Sequence, residues 1–236
     1  MTALVLEIDG LELRFGGVTA LGGVTFAVAG GECVALLGPN GAGKTSVLNC
    51  VSGAVRPTAG RIRLGGRYLD GVPAAQRAGL GVARTFQSPA VVEALDVGGN
   101  LLLGRHSRLR AGLVAGALAF PTARREEADA RRRAAAIAQA LGLDPGAAAA
   151  GLPAGARKRL ELARALAGDP ALLLLDEPFA GTSAGEQEVM AAAIRATVEG
   201  GAAAVVVDHH LDAVLALATR RVELDRGRMA TTGAAP

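Results

Sequence analysis

From Ala3 to Val28, short runs rich in β-forming residues, "LVLEIDGLELRF" and "VTFAV", are punctuated by glycine pairs. That pattern predicts antiparallel strands joined by turns. The character changes at "ECVALL", Glu32 to Leu37, a compact apolar run followed by a glycine-rich loop and the helical stretch "KTSVLNCVSG". An apolar strand feeding a helix in this way is one βα unit of a parallel sheet. Further strand-like pieces stand at "GRIRLGGRYL" and "GLGVARTFQ". From Ser88 to about Ala150 the chain turns helical and rich in Ala and Arg. There "ARREEADARRRAAAIAQAL" places Glu127 with Arg131 and Asp129 with Arg133 at i,i+4, the mark of a solvated amphipathic helix. "GLPAGARKRLELARALAGDP", Gly151 to Pro170, reads as another helix. After it come a buried strand "ALLLLDEP", a helix near Glu186 to Glu199, a buried strand "AAAVVVDHH", and a last helix and hairpin to Met229. The parallel-sheet pattern thus brackets a helical insertion, and no internal repeat is present.

Composition narrows the class. Half of the 236 residues are hydrophobic, but runs of Ala supply much of that fraction, and the chain has one Tyr, five Phe and no Trp. The longest apolar stretch, "AGLVAGALAF" from Ala111 to Phe120, is far shorter than the roughly 20 residues of a spanning helix. The start "MTALVLEIDG" has no basic region ahead of an apolar one, so a cytoplasmic protein is expected. Cys33 and Cys50 have neither metal nor disulfide spacing and are expected as small core residues. The net charge of +3 is spread over short clusters without interleaved aromatics, which argues against nucleic acid as a partner.

The chemistry is carried by three stretches. "GPNGAGKT" consists of Gly38, Pro39, Asn40, Gly41, Ala42, Gly43, Lys44 and Thr45, is followed by Ser46, and fits the phosphate-loop pattern between a strand and a helix. Its glycines let backbone N–H groups close around phosphates, Lys44 reaches the β- and γ-phosphates, and Thr45 offers its hydroxyl to Mg²⁺. ATP and Mg²⁺ are the expected cofactors. "LLLLDEP" then supplies Asp176 for the Mg²⁺ shell and Glu177 to polarise an attacking water, with a plain helix cap as the bland alternative. The third stretch, Gly151 to Pro170, opens its helix with Arg157, Lys158 and Arg159, where the helix dipole disfavours cations. Either these residues form a solvated basic face, or the preceding loop meets an anion.

With these residues the chain resembles the ATP-binding cassette (ABC) ATPases over nearly its whole length. The resemblance implies an α/β fold: a P-loop NTPase core with a parallel sheet, an N-terminal antiparallel β subdomain and an inserted α-helical subdomain. The whole of 1–236 is then one cassette, with the nucleotide-binding core at 1–87 and 159–236 and the helical subdomain at 88–158. It also implies that Gln87, ending "RTFQ", is a catalytic and metal-facing glutamine, and that His209 in "VVVDHH" is the switch histidine. Leu152, Pro153, Ala154, Gly155 and Ala156 match a signature loop that more often reads L-S-G-G-Q and that faces the γ-phosphate of a second subunit. Pro153 lacks the serine hydroxyl and Ala156 lacks the amide. The N–H groups of Ala154, Gly155 and Ala156 remain. Phe15 falls at the adenine-stacking position, with a core Phe as the alternative.

A finer similarity is to the ATPase subunits of branched-chain amino acid importers, through "RFGGVTAL", Asn49 in "VLNCVSG", "ARTFQ" and a signature of L-P-x-G form followed by "RLELARAL". That resemblance implies membrane permease subunits, a second ATPase subunit in a homo- or heterodimer, an indirect periplasmic or extracellular binding protein, and a place on the inner face of the membrane. The segment 88–150 is then the docking surface for the permease. The sequence departs from the pattern in three places. "FAGTSAGE" lacks the usual Asp after Pro178, Asp208-His209-His210 stands where Glu-His-Asp is usual, and the chain ends at "ATTGAAP" where relatives continue into a short helix. His106 is expected at the surface. Other readings are an importer ATPase for urea or amides, a lipopolysaccharide exporter ATPase, and a soluble regulatory ATPase.

Overall fold

A computed structural model describes residues 3–86, 90–105 and 121–234, with side chains omitted at 121–126 and 234. Gln87 and His106 lie outside the described residues. The chain forms two compact units, one of Met1–Gln87, Ala171–Ala180 and Ile194–Pro236, the other of Ser88–Pro170 and Gly181–Ala193. The second unit thus includes the whole helix Ala154–Ala167, past residue 158, together with the first part of the helix Ala184–Glu199.

The first unit holds two sheets. In the four-stranded one, of order β2-β1-β4-β5, strands β1 (Leu4–Phe15), β2 (Val18–Ala29), β4 (Ala59–Leu64) and β5 (Arg67–Tyr68) pair antiparallel, as the alternating N-terminal pattern predicts. Leu6, Ile8, Leu11 and Leu13 of β1 are all buried. Ile8 and Leu11 are out of phase for a regular strand, and the register shifts between them, at Gly10 with φ 57. The bulge resets the alternation so that both halves of β1 face the core.

The six-stranded sheet has the order β10-β9-β3-β8-β7-β6. Strands β3 (Cys33–Leu37), β6 (Val82–Arg84), β7 (Leu172–Asp176), β8 (Ala203–Val207) and β9 (Arg220–Asp225) pair parallel, and β10 (Arg228–Ala234) closes an antiparallel hairpin. Every residue of β7 and β8 is buried. Strands covered on both faces require this continuous apolar run, which explains why "LLLLD" and "AAVVV" lack alternation.

Helix α1 (Lys44–Ser52) packs Val47, Leu48, Cys50 and Val51 into this core and ends at Gly53, φ 81. Cys33 and Cys50 are buried core residues, and burial pushes their thiols up to about 12 and about 11. Arg77, in helix α2 (Ala74–Gly79), donates to the carbonyls of Cys50 (2.7 Å) and Val51 (2.9 Å) in the last turn of α1, and to Leu69 (2.8 Å) and Val72 (2.8 Å). Arg77 is only 5% exposed, and removing it takes away the donor that the Val51 and Val72 carbonyls receive, whereas Cys50 and Leu69 keep backbone donors from Gly53 and Val72. Arg77→Leu is expected to cost about 3 kcal/mol and to lower Tm by roughly 6–12 °C. A thermal melt showing a shift under about 2 °C contradicts this cap.

The second unit is helical: α3 (Val97–Arg105), α4 (Pro121–Ala140) and α5 (Ala154–Ala167). A Cβ at Gly104 would lie 2.2 Å from the Arg164 carbonyl oxygen, so α3 and α5 approach through this glycine. Buried Asn100 bonds the backbone of Val92 and the carbonyl of Asp96, fixing the entry to α3. In α4, Arg131 pairs with Glu127 at 2.7 Å as expected. Asp129, however, pairs with Arg132 rather than Arg133, since i+3 and i+4 lie on the same helix face and either can serve.

Candidate nucleotide site

The site is assembled where β3, β7 and β8 end. The loop after β3 runs from Gly38 to Gly43 and leads into α1. A Cβ at Gly38 (φ 140) would stand 2.2 Å from the Leu224 carbonyl oxygen, and one at Gly43 (φ 102) 2.8 Å from the Ala20 carbonyl oxygen. These two glycines are demanded both by conformation and by close backbone contact. Helix α1 starts from Gly43 with no acidic residue in its first turn and no side-chain cap. Its first N–H groups therefore favour an anion.

Lys44 is 9% exposed and donates to the carbonyl oxygens of Gly38 (2.7 Å) and Pro39 (2.9 Å). Burial lowers its pKa from the ordinary lysine value, while Glu177 and Asp176 act in the opposite direction. An arriving phosphate oxygen would exchange with the two carbonyls. The Thr45 hydroxyl stands 3.5 Å from Asp176 Oδ1, and Asp176 is 2% exposed. Among the described residues no group of three or more His, Cys, Asp and Glu could hold a metal ion. Mg²⁺ does not need such a cage, since it commonly takes one or two carboxylates together with substrate phosphates and water. Thr45 and Asp176 fit that requirement.

Glu177 has φ 49 and donates its N–H to the Val207 carbonyl at 2.7 Å, which turns the chain sharply at the end of β7. Its carboxylate Oε1 lies 3.4 Å from His209 Nε2. Loop, lysine and histidine share the wall of a cavity of about 450 Å³ that also includes Asp208 and Glu223. Phe15 ends β1 and is 56% exposed, so the alternative of a core Phe fails.

Two residues that sequence reasoning did not assign complete the arrangement. Buried Asp208 accepts the Phe179 N–H at 2.7 Å, the His210 N–H at 3.0 Å, and pairs with His210 Nδ1 at 2.8 Å. It ties the segment after Glu177 to the one bearing His209. Arg84 of β6 pairs with Asp176 at 3.0 Å. The only sequence signals were a carboxylate at the end of an apolar strand and an arginine inside "ARTFQ".

In the second unit, Pro153 precedes α5 and Ala154, Gly155 and Ala156 form its first turn, with no acidic residue and no side-chain cap. The solvated-face reading of the next three residues is wrong. Arg157 bonds Leu152, Ala150 and Glu93, while Arg159 bonds the carbonyls of Leu141 and Gly142 and faces Glu186 at 3.6 Å. Lys158 is 8% exposed. Arg157 and Arg159 reach backward to satisfy carbonyls, so the dipole penalty is offset locally. A Cβ at Gly155 would sit 2.2 Å from Glu186 Oε1, a carboxylate held by the N–H and hydroxyl of Ser183 at 2.9 Å each.

A phosphate loop entering a helix from a parallel sheet, with an Asp-Glu pair and a histidine at neighbouring strand ends, defines an ATP-binding cassette. Residues 21–180 match the ABC transporter family, and the chain belongs to it. The chain is 36% identical over 236 residues to the high-affinity branched-chain amino acid transport ATP-binding protein LivG of Salmonella typhimurium strain LT2, covering 99% of this chain and 92% of that protein. It is 36% identical over 230 residues to the corresponding protein BraF of Pseudomonas aeruginosa, covering 96% and 90%. A crystal structure of a nucleotide-free ATP-binding cassette from an ABC transporter superposes with a TM-score of 0.83 at 26% identity, covering 99% of this chain and 92% of that one.

Proposed function

We propose that this protein hydrolyses Mg·ATP as the motor subunit of an importer for branched-chain amino acids, working as a dimer of cassettes on the cytoplasmic face of membrane permease subunits. The observation that carries the ATPase reading is the convergence of Lys44, Thr45, Asp176, Glu177 and His209 at the ends of three adjacent strands. The cargo assignment is supported by the similarity to LivG and BraF over nearly the full length of each. Among the described residues no helix is long and apolar enough to cross a membrane, so the membrane path is assigned to partner subunits.

In this reading the α1 N-terminus and Lys44 hold the β- and γ-phosphates, and Thr45 and Asp176 hold Mg²⁺, which when bound neutralises charge on the transferring phosphoryl group. Glu177 orients the attacking water and His209 steadies the γ-phosphate beside it. Phe15 stacks on adenine, Gln87 relays nucleotide state, and Pro153 to Ala156 close over the γ-phosphate of a second subunit.

Deleting the gene is expected to abolish uptake of radiolabelled leucine, isoleucine and valine at low concentration, and the wild-type gene should restore it. Intact leucine uptake with lost urea or amide uptake overturns the cargo assignment. ATPase activity that is indifferent to co-purified permease overturns the role as a transport motor.

A further inference from the structure

Two residues singled out separately in the sequence, Asn49 in "VLNCVSG" and the arginine of "ARTFQ", meet in the structure. Arg84 Nη1 donates to Asn49 Oδ1 at 2.7 Å and to Ser52 Oγ at 2.9 Å, both on α1. Its other terminal nitrogen, Nη2, donates to Asp176 Oδ2 at 3.0 Å. The pair is enclosed, with side-chain exposures of 7% for Arg84 and 2% for Asp176. The neighbouring Thr85 accepts the Asp176 N–H at 3.2 Å and donates its own N–H to Leu174 at 3.0 Å, so the last residue of β6 and the one after it grip the carboxylate and the backbone of Asp176.

The two carboxylate oxygens of Asp176 are therefore unlike. Oδ2 is engaged by the guanidinium, and Oδ1 points to the Thr45 hydroxyl, 3.5 Å away. We propose that Arg84 is a positioning residue for the metal site: by holding Oδ2 of Asp176 and bracing on Asn49 and Ser52, it presents Oδ1 alone to the Mg²⁺ that accompanies the nucleotide. This rests on the reading of Thr45 and Asp176 as the Mg²⁺-facing pair.

The chemistry favours this role over plain stabilisation. A buried ion pair is commonly no more stabilising than well-packed apolar side chains of similar volume, so stability alone gives little reason for an arginine in this short strand. A carboxylate that must stay ionised beside a metal does give one, because it needs an orienting partner when the metal is away and a fixed angle when it arrives. The planar fork of arginine reaches α1 and β7 together, which the single ammonium of lysine cannot. Arg84 thereby ties the phosphate-loop helix, the metal carboxylate and the strand that leads toward Gln87 into one network.

The test compares fluorescent ADP binding in EDTA and in Mg²⁺, with Mn²⁺ binding to the protein–ADP complex followed by electron paramagnetic resonance. For Arg84→Gln, affinity in EDTA is expected to stay within about twofold of wild type, while Mn²⁺ affinity in the complex falls roughly 10-fold or more. Arg84→Lys should fall between the two. The double variant Asn49→Ala/Ser52→Ala keeps the ion pair but removes the brace, and should lose roughly threefold in Mn²⁺ affinity, a fraction of the full effect. Unchanged Mn²⁺ affinity in Arg84→Gln overturns the proposal, as does an equal loss in EDTA and in metal. If Arg84→Gln does not fold, unchanged Mn²⁺ affinity in the double variant overturns it instead. A wild-type protein that binds ADP without any metal dependence would sink the underlying Mg²⁺ assignment and not merely the part played by Arg84.

Discussion

Lys44→Ala is expected to weaken ATP and ADP binding at least a hundredfold while leaving the fold in place. The lysine supplies two short donations, now made to the carbonyls of Gly38 and Pro39, that a phosphate would receive instead. Two charge-assisted hydrogen bonds of about 1.5 kcal/mol each correspond to about a hundredfold in Kd. The loop itself does not depend on Lys44, because its path is set by Gly38 against Leu224 and Gly43 against Ala20. Stability without nucleotide should carry a pH dependence of its own. Burial lowers the Lys44 pKa, so the unfolded chain holds this proton up to a higher pH than the folded one does. A protonated Lys44 therefore opposes folding below its folded pKa, and the opposition fades as pH rises from there to the ordinary value of 10.5. In Lys44→Ala, relief of this buried charge is largest near neutrality and shrinks at alkaline pH, and it is set against the loss of the two hydrogen bonds to Gly38 and Pro39, so the melting difference from wild type should become less favourable to the variant as pH rises toward 10.5. A variant that binds ATP normally, or one that unfolds at room temperature, contradicts this account.

What was legible in the sequence is what depends on neighbours along the chain. The phosphate loop and its helix could be read because strand, glycines and lysine are contiguous, and β7 and β8 because burial on both faces leaves an unbroken apolar run. The interactions that sharpen the site join residues far apart. Arg84 and Asp176 are 92 positions apart, and Asp208 reaches back 29 to the Phe179 N–H. No periodicity records such a pairing, and a single charge in an apolar strand looks like an exception until its partner is seen. The basic start of α5 leaves two readings open in the sequence for the same reason: Arg159 answers the carbonyls of Leu141 and Gly142, 18 and 17 residues upstream. Gly155 shows how a correct motif can carry an incomplete cause. The motif points to its N–H group, yet within the same unit Glu186 fills the space where a Cβ would stand.

That contact changes how the signature loop has to be probed alongside Glu177. Glu177→Gln keeps volume and hydrogen-bonding reach, and the turn at this residue is held by its backbone N–H to Val207, so the protein should fold and bind Mg·ATP. In the proposed mechanism it loses the acceptor for the proton of the attacking water, and hydrolysis should fall by a factor of roughly 10²–10⁴. Two subunits closed around ATP would then persist, and size-exclusion chromatography with Mg·ATP should show a dimer. Gly155→Asp is the less clean contrast, because its side chain would displace the Glu186 carboxylate from Ser183 and set a second carboxylate beside it, an effect within one subunit. Ala154→Asp is the cleaner choice. Ala154 is exposed in the first turn of α5, where a negative charge suits the helix dipole. The same charge would repel a γ-phosphate presented by a second subunit. Combined with Glu177→Gln, it should leave ATP affinity and melting temperature near those of Glu177→Gln alone, while the ATP-dependent dimer disappears. A dimer that survives Ala154→Asp means that the α5 N-terminus does not meet the partner's nucleotide, and undiminished hydrolysis by Glu177→Gln means that another group handles the proton of the attacking water.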